Sequence, residues 1–245
     1  MNEGDGTSRS PYILKIPTVR PRTRCNKEKK MNWSELPQFT VASMVTLYWT
    51  CVIAMVARSW SKFKVSSGSM PKTRLEKRMW ILWVPTIIAW NLLAWNSSNT
   101  ITVTLAENGN SGLATAWFLI LCLAALTACA AFFTTTRCWL GMGRNWSMAV
   151  TPTKQTQLIT DGVFSKVRHP IYALSLMLMV STMVVIANWM MLIVGTVHCT
   201  LLVLKAWNEE RYLTQAHGSQ YEEYRRTTNR FIPVRAVWKL CSSKR

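Results

Sequence analysis

Acidic residues and histidines are scarce in this chain of 245 residues. It has 11 Asp and Glu against 29 Lys and Arg, which gives a formal net charge of +18 at pH 7, and it has only three His. Its seven Cys include no C-x-x-C pair, and an odd number of cysteines is a poor basis for a disulfide framework. Because no His or Cys group has the spacing of a zinc site, the sequence predicts no metal centre.

Five long stretches lack the regular polar stripe of a soluble helix, and 49% of the whole chain is hydrophobic. Each stretch has about 17 to 22 residues, the length that crosses a hydrocarbon core roughly 30 Å thick. A soluble helix would carry a polar stripe along such a run. The five runs are Phe39–Ala57, Met79–Trp95, Gly112–Phe133, Ile171–Ala187 and Trp189–Ala206. We therefore expect an all-α integral membrane protein with about five transmembrane helices and a C-terminal cytoplasmic helical segment.

The distribution of Lys and Arg predicts how these runs are oriented. Basic residues fill the connection 58–78, the segment 134–170 and the tail after residue 206, whereas the connection 96–111 has none. Since Lys and Arg accumulate on the cytoplasmic side, the basic segments are expected there, facing membrane lipids rather than nucleic acid. The expected organisation is a basic, disordered segment 1–37, three transmembrane helices in 38–134, and a catalytic region 135–245 that contains a helical hairpin 171–206.

The N-terminus does not fit this orientation. Five spans put it outside, yet residues 1–30 carry eight basic residues and no apolar segment of a signal peptide. We hypothesise that translation begins at Met31, which would remove all of them.

Two polar stretches carry the residues from which a site can be built. In the first, basic residues end at Arg168-His169-Pro170-Ile-Tyr172, where an apolar run begins. Proline suits the first turn of a helix, and the free N–H groups of such a turn favour an anion. The alternative interpretation is that Arg168 and His169 only mark the membrane edge.

The second stretch follows the last apolar run. Glu209 and Glu210 lie within about a turn of the membrane core, where carboxylates are disfavoured unless they are paired or functional. Arg211, Arg225 and Arg230 are candidate partners. The alternative is a solvated helix with ion pairs four residues apart, such as Glu222 with Arg226.

Together the two stretches resemble the isoprenylcysteine carboxyl methyltransferase family, which is related to phospholipid N-methyltransferases. The resemblance is carried by four elements in order: the Arg168-His169-Pro170-x-Tyr172 motif, the Glu209-Glu210 pair, the Gly218-x-x-Tyr221-x-x-Tyr224 segment, and Arg230 followed by Pro233. It covers roughly residues 155–235. Ala173 stands where the family often has Gly, and Phe164 where many members have Tyr.

The resemblance implies a methyltransferase that uses S-adenosylmethionine, bound on the cytoplasmic side. It implies that the cofactor lies between the Arg-His-Pro motif and the Glu pair. The candidate cofactor-binding residues are Arg168, His169, Pro170, Tyr172, Glu209, Glu210, Tyr221 and Tyr224. For a carboxylate acceptor, we expect an arginine of the tail to position it, and the candidate catalytic residues are Arg211, Arg225 and Arg230.

Several alternatives stay open at this stage. Sterol-type membrane reductases share an Arg-His-Pro-Asn-Tyr motif and bind NADPH, but Ile171 replaces the Asn here. A non-enzymatic membrane scaffold is a third possibility. The acceptor is expected to be lipophilic, and a prenylated cysteine, a phospholipid amine and a thiol all fit. For the polar residues inside the spans, hydrogen bonding between helices is the expected role. These residues are Asn91, Ser175, Ser181 and His198.

Overall fold

A computed structural model describes residues 33–63, 74–96, 104, 108–142 and 158–234, all within one compact unit, Asn32–Arg245. The expectations for residues 1–32, including the start at Met31, lie outside the described residues. Within the described ranges six α-helices follow one another and no strand forms, which confirms the all-α class. They are α1 (Leu36–Phe63), α2 (Arg74–Asn96), α3 (Ser111–Met142), α4 (Pro170–Ile186), α5 (Trp189–His217) and α6 (Ser219–Thr227).

The five predicted apolar runs correspond to α1 through α5. Four of these helices, α1, α2, α3 and α5, are long and apolar enough to cross a membrane. The fourth run forms the shorter helix α4, whose 17 residues span about 25 Å at 1.5 Å per residue. The described chain therefore has four or five membrane-crossing helices, as expected.

Three helices extend beyond the limits that hydrophobicity suggested. Helix α1 already begins at Leu36, inside the segment 1–37, and α3 continues past Phe133 to Met142. Helix α5 runs without a break to His217, because the first residue that interrupts it is Gly218, with a positive φ of 51°. As a result, the Glu209-Glu210 pair is part of a membrane-crossing helix rather than of a separate one.

Helices α4 and α5 form a tight hairpin. Ala187 has a positive φ of 26°, and the Asn188 side chain then caps α5 by accepting a 2.7 Å hydrogen bond from Met191 N–H. Further along, a Cβ added to Gly195 would overlap the sulfur of Met183. The absence of a side chain at Gly195 thus allows the two helices to approach closely.

The core lies between α1, α2, α3, α4 and α5, while the outer surface is also apolar. Val41, Trp90 and Leu178 are fully buried in the core. Ile81 and Leu126 project outward and are 72% and 68% exposed. Aliphatic side chains around the outside of a helical bundle are what a lipid environment requires. The described fold therefore supports an integral membrane protein.

Candidate active site

The two polar stretches are joined through their backbones. Arg168 N–H donates to Asn229 O at 2.8 Å, and His169 N–H donates to Arg230 O at 3.1 Å. These bonds continue an isolated parallel bridge between Val167 and Asn229. The segment after α6 therefore fixes the loop that leads into α4.

Arg168 uses all three of its side-chain nitrogens inside the protein. Its Nε and one terminal nitrogen donate to Oε1 of Glu210 at 3.1 and 3.0 Å. The other terminal nitrogen donates to the carbonyl oxygens of Arg225 and Thr228. The two bonds converge on one carboxylate oxygen, and only a guanidinium can donate from two nitrogens in this way while a third nitrogen bonds elsewhere. Arg168 thus ties α4, α5 and the end of α6 together.

Glu210 is the centre of this cluster. Besides Arg168, it accepts two hydrogen bonds from Arg230, at 2.9 and 2.6 Å, and lies 3.2 Å from His169 Nε2. Its side chain is only 7% exposed, so its charge is compensated by buried partners rather than by solvent. The hydrogen bond to Glu210 also raises the pKa of Arg230, which stays charged and lies 5.5 Å from the ring of Trp207.

Glu209 has different surroundings from its neighbour. Its side chain is 34% exposed and accepts a 2.8 Å hydrogen bond from the Tyr172 hydroxyl. His169 Nδ1 lies 3.7 Å away, and the rings of His169 and Tyr172 are parallel, with centroids 5.3 Å apart. No arginine among the described residues pairs with Glu209.

A cavity opens beside Glu209 and continues between the helices. It contains about 1270 Å³ of empty space when its open mouth is included. One end is polar and one end is aromatic and aliphatic. The polar end is lined by Arg168, His169, Pro170, Tyr172, Lys205, Glu209, Tyr221 and Tyr224, and the apolar end by Tyr48, Trp49, Val52, Trp83, Trp139 and Leu202.

The two tyrosines of α6 close the polar end of the cavity. Tyr224 donates a 2.6 Å hydrogen bond to Phe164 O, which holds the short 3-10 turn Gly162–Ser165. Burial raises the pKa of Tyr224 to about 12, so its hydroxyl stays protonated and can donate. Burial, reinforced by the Glu210 charge, also raises the pKa of Tyr221, whose ring is fully buried. The Gly-x-x-Tyr-x-x-Tyr segment therefore shapes a wall of the cavity.

The three arginines predicted to be catalytic do not line this cavity. Arg211 is exposed on α5, and Arg230 is bound to Glu210. Arg225 pairs with Glu222 at 3.1 Å on the exposed face of α6. The predicted pair of Glu222 with Arg226 is wrong, because the carboxylate turns to the arginine three residues away instead of four. Both spacings place side chains on one helix face.

Sequence reasoning missed several cavity residues, of which Lys205 is the most informative. It is 4% exposed, and its ammonium lies 5.8 Å from the centroid of the Trp83 ring. Glu209 and Glu76 both interact with it electrostatically. A single lysine inside the run Trp189–Ala206 was the available signal, since an ionisable residue within a span is a functional candidate by default.

Three of the four polar residues noted inside the spans, Asn91, Ser175 and His198, bond between helices, as expected. Asn91 Oδ1 on α2 accepts from Thr46 of α1 at 3.3 Å. Ser175 on α4 lies 3.2 Å from His198 Nε2 on α5. Ser181 is buried in the same bundle.

The described residues thus define an integral membrane protein with an ion-paired polar site that opens into an apolar cavity. Residues 119–215 match the model of the isoprenylcysteine carboxyl methyltransferase (ICMT) family. The resemblance suggested by the sequence motifs is confirmed over this range, which includes the Arg-His-Pro-x-Tyr motif and both glutamates. The match also begins in α3, earlier than the motifs alone indicated. This family suggests a membrane methyltransferase. No curated protein shows a significant match to the chain.

Proposed function

We propose that this protein transfers a methyl group from S-adenosylmethionine to a lipophilic acceptor, in a site on the cytoplasmic side of the membrane. The observation that carries the proposal is the different environment of the two glutamates. Glu210 is neutralised by arginines, whereas Glu209 lines the cavity and has no arginine partner within the described ranges. Glu209 therefore presents a carboxylate to the cavity beside Lys205, and a cationic ligand in the cavity can approach it.

The polar end of the cavity suits the amino-acid part of the cofactor, which has an ammonium and a carboxylate. Glu209 is the proposed partner of the ammonium. The first turn of α4 is the proposed partner of the carboxylate, because the N–H groups of Ile171 and Tyr172 precede the first intrahelical bond, from Ala173 to His169 O. Arg168 and Glu210 are positioning residues, because their ion pair holds this turn against α5.

Aromatic residues around Glu209 suit the remaining parts of the cofactor. The stacked rings of His169 and Tyr172, together with Tyr221, offer flat surfaces to an adenosine group. An aromatic face also attracts a cationic sulfonium. Two features thus fit this cofactor: a carboxylate on the cavity wall that is not paired with arginine, and aromatic surfaces beside a helix start.

The apolar end of the cavity suits the acceptor. Trp49, Val52 and Trp139 line it within the bundle, where a lipophilic tail would be shielded from water. The bound cofactor supplies the methyl group on its sulfonium, and the residues of the cavity align the acceptor and exclude water. A carboxylate or thiolate acceptor needs no base, whereas an amine must be neutral to react. The name of the matched family makes a prenylated cysteine carboxylate the first acceptor to test.

The cytoplasmic placement of this site is inferred from charge. Arg74, Lys77 and Arg78 begin α2, whose Glu76 interacts with Lys205 beside the cavity. Lys166, Arg211 and Arg226 are exposed near the same polar end. A cluster of basic residues at one end of a membrane bundle favours the cytoplasmic side.

The test is to measure, by calorimetry, the binding of ligands to the purified protein in lipid nanodiscs. We expect S-adenosylmethionine to bind and NADPH not to bind. Glu209→Gln should weaken binding about tenfold or more, because a charge-assisted contact is lost. Glu223→Gln, an exposed site on α6, is the matched control. Binding of NADPH alone would favour a reductase, and binding of neither by folded protein would favour a scaffold.

A further inference from the structure

One face of α5 is exposed along the membrane span and carries a tryptophan near each end. Trp189 is 66% exposed and Trp207 is 55% exposed. The two residues lie about five helical turns apart, or about 27 Å at 1.5 Å per residue. The hydrocarbon core of a bilayer is roughly 30 Å thick, and tryptophan favours its two interfaces. Trp207 therefore marks the membrane boundary at the polar end of the bundle.

The face of α5 between these tryptophans suits a lipid environment. Its exposed positions recur every three or four residues, as positions on one side of a helix do. They are Leu192, Ile193, Thr196, Thr200 and Leu204. The hydroxyls of Thr196 and Thr200 each donate to a carbonyl oxygen one turn earlier at 2.8 Å, so neither needs water. This face thus meets acyl chains as far as Leu204 and lipid headgroups from Trp207 onward.

Two arginines flank Trp207 at this boundary. Arg211 follows one turn later on the same face of α5 and is exposed, and no carboxylate in the described ranges forms an ion pair with it. Arg230 comes from the segment after α6, and its guanidinium carbon lies 5.5 Å from the centroid of the Trp207 ring. Two guanidinium groups therefore surround an exposed tryptophan at the level of the headgroups.

Arg230 keeps one nitrogen available to a ligand. Its Nε and one terminal nitrogen donate to Glu210 at 2.9 and 2.6 Å. No hydrogen bond within the described part of the chain uses the other terminal nitrogen, and the side chain is 31% exposed. Glu210 and the Trp207 ring thus fix the guanidinium while one edge of it can still donate to an oxygen outside the protein.

The balance of charge at this surface favours an anion. Arg168 and Arg230 share one carboxylate, Glu210, so this buried cluster has one positive charge in excess. Arg211 adds a second positive charge, whereas Glu209 faces the cavity. The ammonium of a zwitterionic headgroup would be repelled here, whereas a headgroup with net negative charge would be attracted.

Apolar side chains beside the arginines favour a lipid over a soluble anion. Ile232 and Val234, which follow Arg230, are 68% and 56% exposed, and Leu204 on α5 is 44% exposed. A free phosphate would gain nothing from these side chains. The glycerol and acyl parts of a phospholipid would cover them while its phosphate meets the arginines.

We infer that Trp207, Arg211 and Arg230 form a binding site for the phosphate of an anionic phospholipid from the surrounding membrane. Arg211 and the remaining nitrogen of Arg230 donate to the phosphate, and Trp207 holds the Arg230 guanidinium in place. This site lies outside the cavity and does not depend on the proposed methyl transfer. It gives a role to two arginines that the motifs pointed to but that do not line the cavity.

The binding test is native mass spectrometry of the full-length protein, titrated with dioleoyl phosphatidylglycerol or with dioleoyl phosphatidylcholine. The parent protein should bind one phosphatidylglycerol at least about fivefold more tightly than phosphatidylcholine. Arg211→Gln and Trp207→Leu should each weaken the binding of phosphatidylglycerol about fivefold, with little effect on phosphatidylcholine. Both side chains are exposed, so both variants should keep the Tm of the parent protein.

A matched control is available on α3. Arg137 is exposed one turn after Phe133, which is 60% exposed, but no cation within the described residues lies on the Phe133 ring. Arg137→Gln removes the same charge and should change the affinity less than about twofold. An equal loss in Arg137→Gln and Arg211→Gln would show attraction by overall charge and overturn the site. Equal affinity of the parent protein for the two lipids would overturn it as well.

Two further measurements test the place and the source of the anion. Phosphatidylglycerol with a photoreactive headgroup, in phosphatidylcholine nanodiscs, should label residues 204–211 and 230–234, and Arg211→Gln should abolish this labelling. Labelling spread over all exposed helices would overturn the inference. Glycerol phosphate at the same concentration as the lipid should not displace it. Displacement would identify a site for soluble phosphates and overturn the assignment to a lipid.

Discussion

Glu209 and Glu210 are consecutive residues of α5 with opposite surroundings. Glu210 accepts four hydrogen bonds from Arg168 and Arg230, whereas Glu209 accepts one from Tyr172 and lines the cavity. Successive positions on a helix point about 100° apart, so one carboxylate can face the polar cluster while the next faces the ligand space. Under the proposed function, the pair combines a structural residue with a cofactor-binding residue at adjacent positions.

Glu210→Gln should destabilise the fold strongly. An amide leaves Arg168 as a buried charge without a carboxylate partner, and breaking a buried ion pair from one side costs about 3 to 5 kcal/mol. Arg230, whose side chain is 31% exposed, loses the same partner but can be solvated. Thermal unfolding in nanodiscs would show a clear drop in Tm. Glu223→Gln is the control with an exposed carboxylate and should leave Tm unchanged. A Tm equal to the parent value in Glu210→Gln would mean that the cluster does not stabilise the site.

The sequence predicted the helical class and Arg230 as a partner of the glutamate pair, but not the pairing of Arg168 with Glu210 or the different surroundings of the two glutamates. The length of a hydrophobic run locates a membrane span, because the thickness of the membrane sets the length that a span needs. By contrast, the roles of Glu209 and Glu210 depend on the rotation of α5 relative to α4 and α6, which the chain's local pattern does not encode. Arg225 illustrates the same limit, since its pairing with Glu222 on α6 and its place outside the cavity lining depend on tertiary packing.

The cavity itself also could not be predicted from the sequence. Tyr48 and Trp83 come from helices that looked like plain spans, and they meet Ser175 only through tertiary packing. Lys205 carried a readable signal, because a charged residue inside an apolar run is costly. The motifs located the polar end of the site, and the packing of α1 and α2 supplied the apolar end.

Arg168→Lys should behave as a disruptive change. Arg168 donates to Glu210 through two nitrogens and to backbone carbonyls of Arg225 and Thr228 through the third. A lysine ammonium is a point charge that cannot reproduce this fork. We expect a lower Tm and weaker S-adenosylmethionine binding together, measured by thermal unfolding and calorimetry. Arg226→Lys, on the exposed face of α6, keeps both values at those of the parent protein.

Tyr172→Phe separates binding from folding. The change removes only the hydroxyl that donates to Glu209 at 2.8 Å and keeps the ring that stacks on His169. Because Glu209 is then less firmly oriented, the Kd for S-adenosylmethionine should rise about 2- to 10-fold while Tm stays nearly constant. Tyr212→Phe, on α5 but away from the cavity lining, is the control. A large fall in Tm would instead assign Tyr172 to the stability of the bundle.

Gly195→Ala tests the close approach of α4 and α5. An added Cβ overlaps the Met183 sulfur, so Met183 must adopt another rotamer in a packed interface, at a cost of about 1 to 3 kcal/mol. Gly112→Ala is the matched control, because nothing lies within 4 Å of a Cβ there and alanine favours a helix. Shortening the Met183 side chain should relieve the overlap. The double variant Met183→Ala/Gly195→Ala should therefore lose less stability than the sum of the losses in the two single variants. Strict additivity in this double-mutant cycle, measured by thermal unfolding, would show that Met183 and Gly195 are not in contact.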